Sequence, residues 1–438
     1  MTRKSRLLAM GGAVIVAALI VVALLMWKPA IAPISPPPAS SFDAQTRLAG
    51  ARVVALGDCI VCHTAKGGKR FAGGLPLATP FGTIYATNLT PDVDTGIGSW
   101  SLEAFTRAVR HGVSRDGHLL YPAFPYIHFT RMSDGDISAA YAYLMTREPV
   151  NATAPANALI FPLNFRPLLA FWNILFLHAG EETADASKDA EWNRGKLLVD
   201  SLGHCASCHS PLNAIGGEKM GHAFDGGIVD GWEAPPLNAL GAAPKPWTQE
   251  QLVTYLRSGR ASEHGAAAGP MLPVTRDLAT VPEEDVRAIA TYILSIQKAQ
   301  PAVVNAAAEG AAHAAQTNQA DQADASPAAQ RGAILFGASC AQCHGPAAPM
   351  QSIGERPTLA FSTAVNATTP RNAAQMILSG NGWHGEDSMN YMPSFSEIYS
   401  DQQIADLVSY IRATYSQRGE WKDVEETVAQ VRKENNAR

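Results

Sequence analysis

Outside three five-residue units, this 438-residue chain has no cysteine. All six thiols lie in those units, so none remains for a disulfide elsewhere, a separate zinc site or a nucleophile. The chain also lacks a nucleophile elbow, a glycine-rich phosphate loop and a paired-carboxylate motif, which removes the common hydrolase and phosphoryl-transfer signatures. A net charge of −5 without any basic run excludes nucleic acid as a partner. Uninterrupted apolar runs are scarce. One covers 7–27, and a second, at 159–177, is broken by Pro162, Asn164, Arg166 and Pro167.

The three units are Cys59-Ile60-Val61-Cys62-His63, Cys205-Ala206-Ser207-Cys208-His209 and Cys340-Ala341-Gln342-Cys343-His344. Disulfides or zinc ligation would leave unexplained why a histidine directly follows every second cysteine. In a C-x-x-C-H unit two thiols add to the vinyl groups of one haem, and the adjacent imidazole falls under the iron. Three covalently bound haem c groups are expected, with His63, His209 and His344 as proximal ligands. A chain of this length holds about three domains, one for each haem.

Self-similarity extends beyond the units. Short helices are expected before each one, at 46–56, 192–202 and 330–337, and Arg194-Gly195 and Arg331-Gly332 open the second and third alike. A middle amphipathic helix follows at 101–110, 249–257 and 371–378, each closed by a glycine suited to a left-handed cap: Gly112, Gly259 and Gly380. A last helix spans 134–145, 283–295 and 401–414. There Ile137, Val286 and Ile404 precede Tyr143, Tyr292 and Tyr410 by six residues, as ordinary helix packing would place them. This order resembles the class I cytochrome c fold, whose first and last helices cross beside the haem. The fold class is therefore mainly α: three tandem class I cytochrome c domains plus an N-terminal transmembrane helix.

The segments divide as 1–30 anchor or signal, 31–45 Pro-rich spacer, 46–151 domain one, 152–185 aromatic connection, 186–298 domain two, 299–329 Ala-rich linker, 330–418 domain three and 419–438 a C-terminal amphipathic segment. The run at 7–27 is long enough to span a bilayer, and the basic flank Arg3, Lys4 and Arg6 keeps its N-terminal side in the cytoplasm. Cleavage after Ala30-Ile31-Ala32 is the alternative, opposed by the length of the run and by Pro33 after the cut. Either way the haem domains are exported to the periplasmic side of the inner membrane. The aromatic connection packs over the first domains or docks on the membrane or a partner. The linker, without Phe, Trp or Tyr, reads as a flexible tether or a weak helix that lets domain three be positioned separately. In the last segment Trp421, Val424, Val428 and Val431 share a face that packs on the body or a partner.

Counting locates the sixth ligands. Twelve residues after Gly259 comes Met271, and twelve after Gly380 comes Met392, with Met389 its rival. The same count from Gly112 lands on Phe124, which cannot ligate iron. His128 is the first choice there, followed by Met132, His118 and an open iron. Two histidines would give that haem the lowest potential and make it the point where electrons enter. Among other histidines, His111, His204, His222, His264 and His384 read as hydrogen-bond donors. Asn88 and Asn238 occupy similar loop places and support the haem edge.

The stretch from Thr79-Pro80-Phe81-Gly82-Thr83-Ile84-Tyr85 through Thr87-Asn88-Leu89, with Tyr121-Pro122-Ala123-Phe124-Pro125-Tyr126 and Glu191-Trp192-Asn193-Arg194-Gly195, resembles the three-haem cytochrome c subunits of membrane-bound periplasmic dehydrogenases. In the alcohol dehydrogenase type a methionine follows Tyr-Pro-Ala. Phe124, with His128-Phe129-Thr130 beyond it, looks more like the molybdopterin aldehyde dehydrogenase branch. The resemblance implies an electron-transfer subunit without substrate chemistry of its own. It implies a catalytic partner with an iron–sulfur subunit, the membrane as site and ubiquinone as acceptor. Quinoprotein alcohol and flavin sugar dehydrogenases are the alternative partners. A free-standing membrane cytochrome, or a multihaem peroxidase with an open first iron, is the alternative of another class.

Overall fold

The computed structural model describes residues 10, 26–298, 325–345, 348, 358–382 and 391–436. Residues 299–324 of the expected linker, Met389, His384 and most of the apolar run at 7–27 lie outside them. No helix among the described residues is long and apolar enough to cross a membrane. The chain forms two compact units. One is Met1–Asp189 with Lys196–His204, and the other is Ala190–Gly195 with Cys205–Arg438.

All nine expected helices form. The first helices are Ala44–Leu56, Ala190–Leu197 (continued by a π-turn, Leu198–Leu202) and Pro327–Ser339. The side chains of Asp43 and Ser326 cap two of them by accepting from Thr46 N–H and Ala329 N–H, which satisfies donors that have no partner within the helix. The middle helices, Leu102–His111, Gln249–Ser258 and Arg371–Ser379, end on Gly112, Gly259 and Gly380 with φ of 61°, 71° and 68°. The last helices are Asp134–Met145, Glu283–Ser295 and Asp401–Tyr415.

First and last helices cross in every repeat at a glycine. A Cβ added to Gly50, Gly195 or Gly332 would stand 2.0 Å from the carbonyl oxygen of Ala139, Ala288 or Asp406. It would also meet the Cβ of Tyr143, Tyr292 or Tyr410 within 2.8 Å. The backbones therefore approach as closely as only glycine permits. Each tyrosine meets an aromatic ring: Phe71, Trp192 or Phe336 respectively. The residues six positions earlier, Ile137, Val286 and Ile404, are at most 1% exposed. Ion pairs add to the crossing in two repeats, Arg194 with Asp285 and Arg331 with Asp406.

In the first unit the signature stretch folds as an antiparallel hairpin, Pro76–Thr79 with Gly82–Tyr85, and Ala158–Leu159 adds a third strand. The aromatic connection splits its faces. Ala170 and Trp172 are buried and the Tyr126 hydroxyl donates to Asn173 Oδ1 at 2.6 Å, whereas Phe161, Ile174 and Leu175 remain exposed. Met26 packs with Leu169, Ala170, Val113 and Leu119.

In the second unit the reading of a separately positioned third domain is corrected. The third repeat is bonded directly to the second: Asn372 Oδ1 accepts from Glu233 N–H, Arg371 donates to the Gly231 carbonyl, and Thr358 and Thr363 N–H donate to the Ser262 and His264 carbonyls. Main-chain groups carry much of this docking, which a linker's composition does not reveal. The C-terminal helix Val424–Asn436 packs on the third repeat as its apolar face requires, with Val428 and Val431 fully buried and Arg371 paired to Glu434 at 2.7 Å.

Candidate haem-binding sites

Each C-x-x-C-H unit holds a single helical turn: Cys59–Cys62, Ala206–His209 and Ala341–His344. All six cysteines are half-buried. Asp58 and His204, directly ahead of the first two units, have φ of 50° and 36°, a left-handed step that turns the chain sharply off the first helix.

The proximal side repeats its chemistry. His63 Nδ1 lies 2.6 Å from the Thr87 carbonyl, and His209 Nδ1 lies 2.7 Å from the Pro235 carbonyl. A carbonyl only accepts, so each Nδ1 carries the proton and each Nε2 keeps the lone pair that a metal needs. Desolvation lowers both imidazole pKa values, outweighing the carbonyl bond, which acts in the opposite sense. The donor set of two thiols and one oriented neutral imidazole fits haem c.

The loops bearing these carbonyls are pinned by the two asparagines expected to support the haem edge. Asn88, next to Thr87 and 3% exposed, donates to the Val150 carbonyl at 2.7 Å and accepts from Thr90 N–H. Asn238, 5% exposed, donates to the Ala223 carbonyl and Asp225 Oδ1. Sequence reasoning found the asparagines and missed the carbonyls they hold. Thr87 directly precedes Asn88 but Pro235 lies three residues ahead of Asn238, so no constant offset marks them. In the third repeat much of the matching loop lies outside the described residues.

The distal side differs from repeat to repeat. Met271 opens a helix, Met271–Leu278, after Gly269, whose Cβ would stand 2.4 Å from Trp232 Nε1. Met392 lies instead in a two-residue strand, Tyr391–Met392, paired with Asn381–Gly382, and packs on the hydrophobic core of the third repeat. Equal sequence offsets thus end in unlike local structures.

In the first repeat Phe124 contacts the rings of Tyr126 and Phe129. His128 is 5% exposed, and its Nδ1 lies 3.1 Å from the Asp200 carbonyl in the π-turn, the same device that orients the proximal histidines. Met132 is also buried, whereas His118 is exposed. His204 stands edge-on to Phe129, and its Nε2 approaches the Gly57 carbonyl at 3.3 Å. Burial, reinforced by His128, holds its pKa down to about 4.

The family profile described as cytochrome c matches residues 193–297 and 329–414. Over 411 residues the chain is 46% identical to a nicotinate dehydrogenase subunit of Pseudomonas putida, covering 93% of this chain but 34% of that protein. The chain thus spans about a third of that relative's length. It is 33% identical to the fructose dehydrogenase cytochrome subunit of Gluconobacter japonicus, covering 86% of this chain and 81% of that one. With the gluconate 2-dehydrogenase cytochrome c subunit of Pantoea cypripedii it shares 34% identity over 88% and 89% of the two chains. The match to the cytochrome c profile, and relatives matched over more than four fifths of both chains, fit the paired thiols and oriented imidazoles seen here, and the chain belongs to the family of cytochrome c subunits of dehydrogenases.

Proposed function

We propose that this chain is the three-haem electron-transfer subunit of a membrane-bound periplasmic dehydrogenase and carries electrons from a catalytic partner to ubiquinone. The observation behind this reading is the paired proximal geometry, His63 on the Thr87 carbonyl and His209 on the Pro235 carbonyl. Haem c, when bound, supplies one-electron transfer at its iron. The chain's residues do the rest. Cys59, Cys62, Cys205, Cys208, Cys340 and Cys343 attach the rings; His63, His209 and His344 hold the irons. Met271, Met392 and His128 close the opposite sides, so substrate oxidation falls to the partner. The dehydrogenase names of the relatives support this relay over a peroxidase with an open iron.

Phe124 in place of methionine favours a partner of the molybdopterin type with an iron–sulfur subunit and an aldehyde as substrate. A second substrate class, an N-heteroaromatic acid such as nicotinate, is favoured by the 46% identity to the relative of that name. Placement at the membrane is supported by the apolar run that leads to Met26, packed against Leu169 and Ala170, in the same connection as the exposed Phe161, Ile174 and Leu175.

Purification from membranes in mild detergent tests the reading. Three haems per chain and a co-purifying subunit with molybdenum and iron–sulfur centres are expected. A single polypeptide overturns the complex, and a quinone or flavin cofactor in the partner redirects the branch.

A further inference from the structure

The loops carrying the sixth ligands of the second and third haems are joined to each other. Three carbonyls of the segment leading to Met271 accept donors from the third repeat: Ser262 from Thr358 N–H at 3.0 Å, His264 from Thr363 N–H at 2.9 Å and Ala267 from Asn381 Nδ2 at 2.9 Å. Ala267 is 1% exposed, lies four residues before Met271, and returns its own N–H to the carbonyl of the cap glycine Gly259 at 2.7 Å.

Asn381 belongs at the same time to the other ligand loop. It follows the cap glycine Gly380 and is the cross-strand partner of Met392. Gly380 leaves no slack there, since a Cβ on it would stand 2.5 Å from the Met392 carbonyl oxygen. A second link runs the opposite way: Arg276, on the helix that Met271 opens, donates to the Gly382 carbonyl at 3.3 Å. The amide orientation of Asn381 follows from chemistry, because the Ala267 carbonyl accepts only from an N–H. Its Oδ1 is buried and has no partner among the described residues, so the bond to the Ala267 carbonyl is the one side-chain hydrogen bond of Asn381 among them.

We propose that Asn381 is a positioning residue for both methionine ligands, tying the Met271 loop to the Met392 strand so that the potentials of the second and third haems move together. This rests on the assignment of Met271 and Met392 as sixth ligands. The iron–thioether bond depends on where its loop holds the sulfur, and ligation sets the potential. One side chain that fixes two such loops gives two haems a common control.

The test uses the full-length, haem-loaded protein, with haem stoichiometry, haem-resolved redox titration and the near-infrared charge-transfer band of methionine-ligated ferric haem. Asn381→Ala is expected to lower the potentials of both the second and third haems. A shift of roughly tenfold in each oxidation equilibrium is about 59 mV for a one-electron couple. The near-infrared band weakens at both haems, and the first haem does not move. Arg276→Ala, which cuts the second link and leaves Asn381 in place, is expected to shift the same two haems in the same direction by less. A change confined to the third haem, or none at either, overturns the coupling alone. A parent protein without the methionine band at these haems overturns the ligand assignment and the coupling with it.

Discussion

The two sides on which haem would lie are built on opposite plans. Proximally, His63 and His209 meet loop carbonyls at 2.6 and 2.7 Å, and all three repeats cross their helices at a glycine with the same 2.0 Å clearance. Among the candidates for the sixth position no two repeats agree: His128 lies under a π-turn carbonyl, Met271 at the head of a helix and Met392 in a strand. Attachment has one geometric solution, set by covalent chemistry and imidazole tautomer. The sixth position sets the potential, and a relay needs its potentials to differ.

The proximal plan breaks most severely at the crossing. Gly332→Leu forces a branched side chain into the Asp406 carbonyl and is expected to cost about 3 kcal/mol or more. Denaturant unfolding should show that loss, with the axial ligation of the third haem lost at lower denaturant than that of the first while all haems stay covalently attached. Removing a single candidate ligand is expected to break one haem at a time. Met271→Ala is expected to abolish the near-infrared methionine band of the second haem only. His128→Ala leaves both methionine bands and opens the first haem, read as stoichiometric carbon monoxide binding that the parent lacks. Carbon monoxide binding by the parent at that haem removes His128 from the comparison.

The smallest effect concerns His264, in the turn between the paired segments Arg260–Ala261 and Gly265–Ala266 of the second repeat. It is 1% exposed, stacked on Trp247 at 3.7 Å, and donates from Nε2 to Gln251 Oε1 at 3.0 Å. Burial, and secondarily Lys245, holds its pKa down to about 4, against 6.5 for an ordinary histidine. As pH falls the unfolded chain takes the proton first, so this group's stabilisation is complete above pH 6.5 and is lost between there and about pH 4. Subtracting the stability profile of His264→Gln from that of the parent isolates it; a flat difference across that window refutes it.

Much of the proximal plan is legible in the residues because it is written in side chains. The Cys pairs and histidines carry their own signature, the cap glycines mark φ values that other residues avoid, and the apolar spacing that predicts buried Ile137, Val286 and Ile404 is ordinary helix periodicity. What stayed hidden is written in main chain. The Thr87 and Pro235 carbonyls belong to residues whose side chains play no part in the bond, and the third repeat docks on the carbonyls of Ser262, His264 and Ala267. The expectation of a separately positioned third domain failed for that reason: the composition of a linker says nothing about carbonyls elsewhere that accept its domain. Gly50 escaped notice because its neighbour is Ala49, without the arginine that marks Gly195 and Gly332.

The crossing glycines also impose an order of events on synthesis. Each one closes against a helix at the far end of its own repeat: Gly50 against Ala139, Gly195 against Ala288, Gly332 against Asp406. Such long-range contacts cannot form while that far end is still unmade. An emerging chain therefore presents each Cys pair on an open, unclosed segment until the last helix of its repeat has been made.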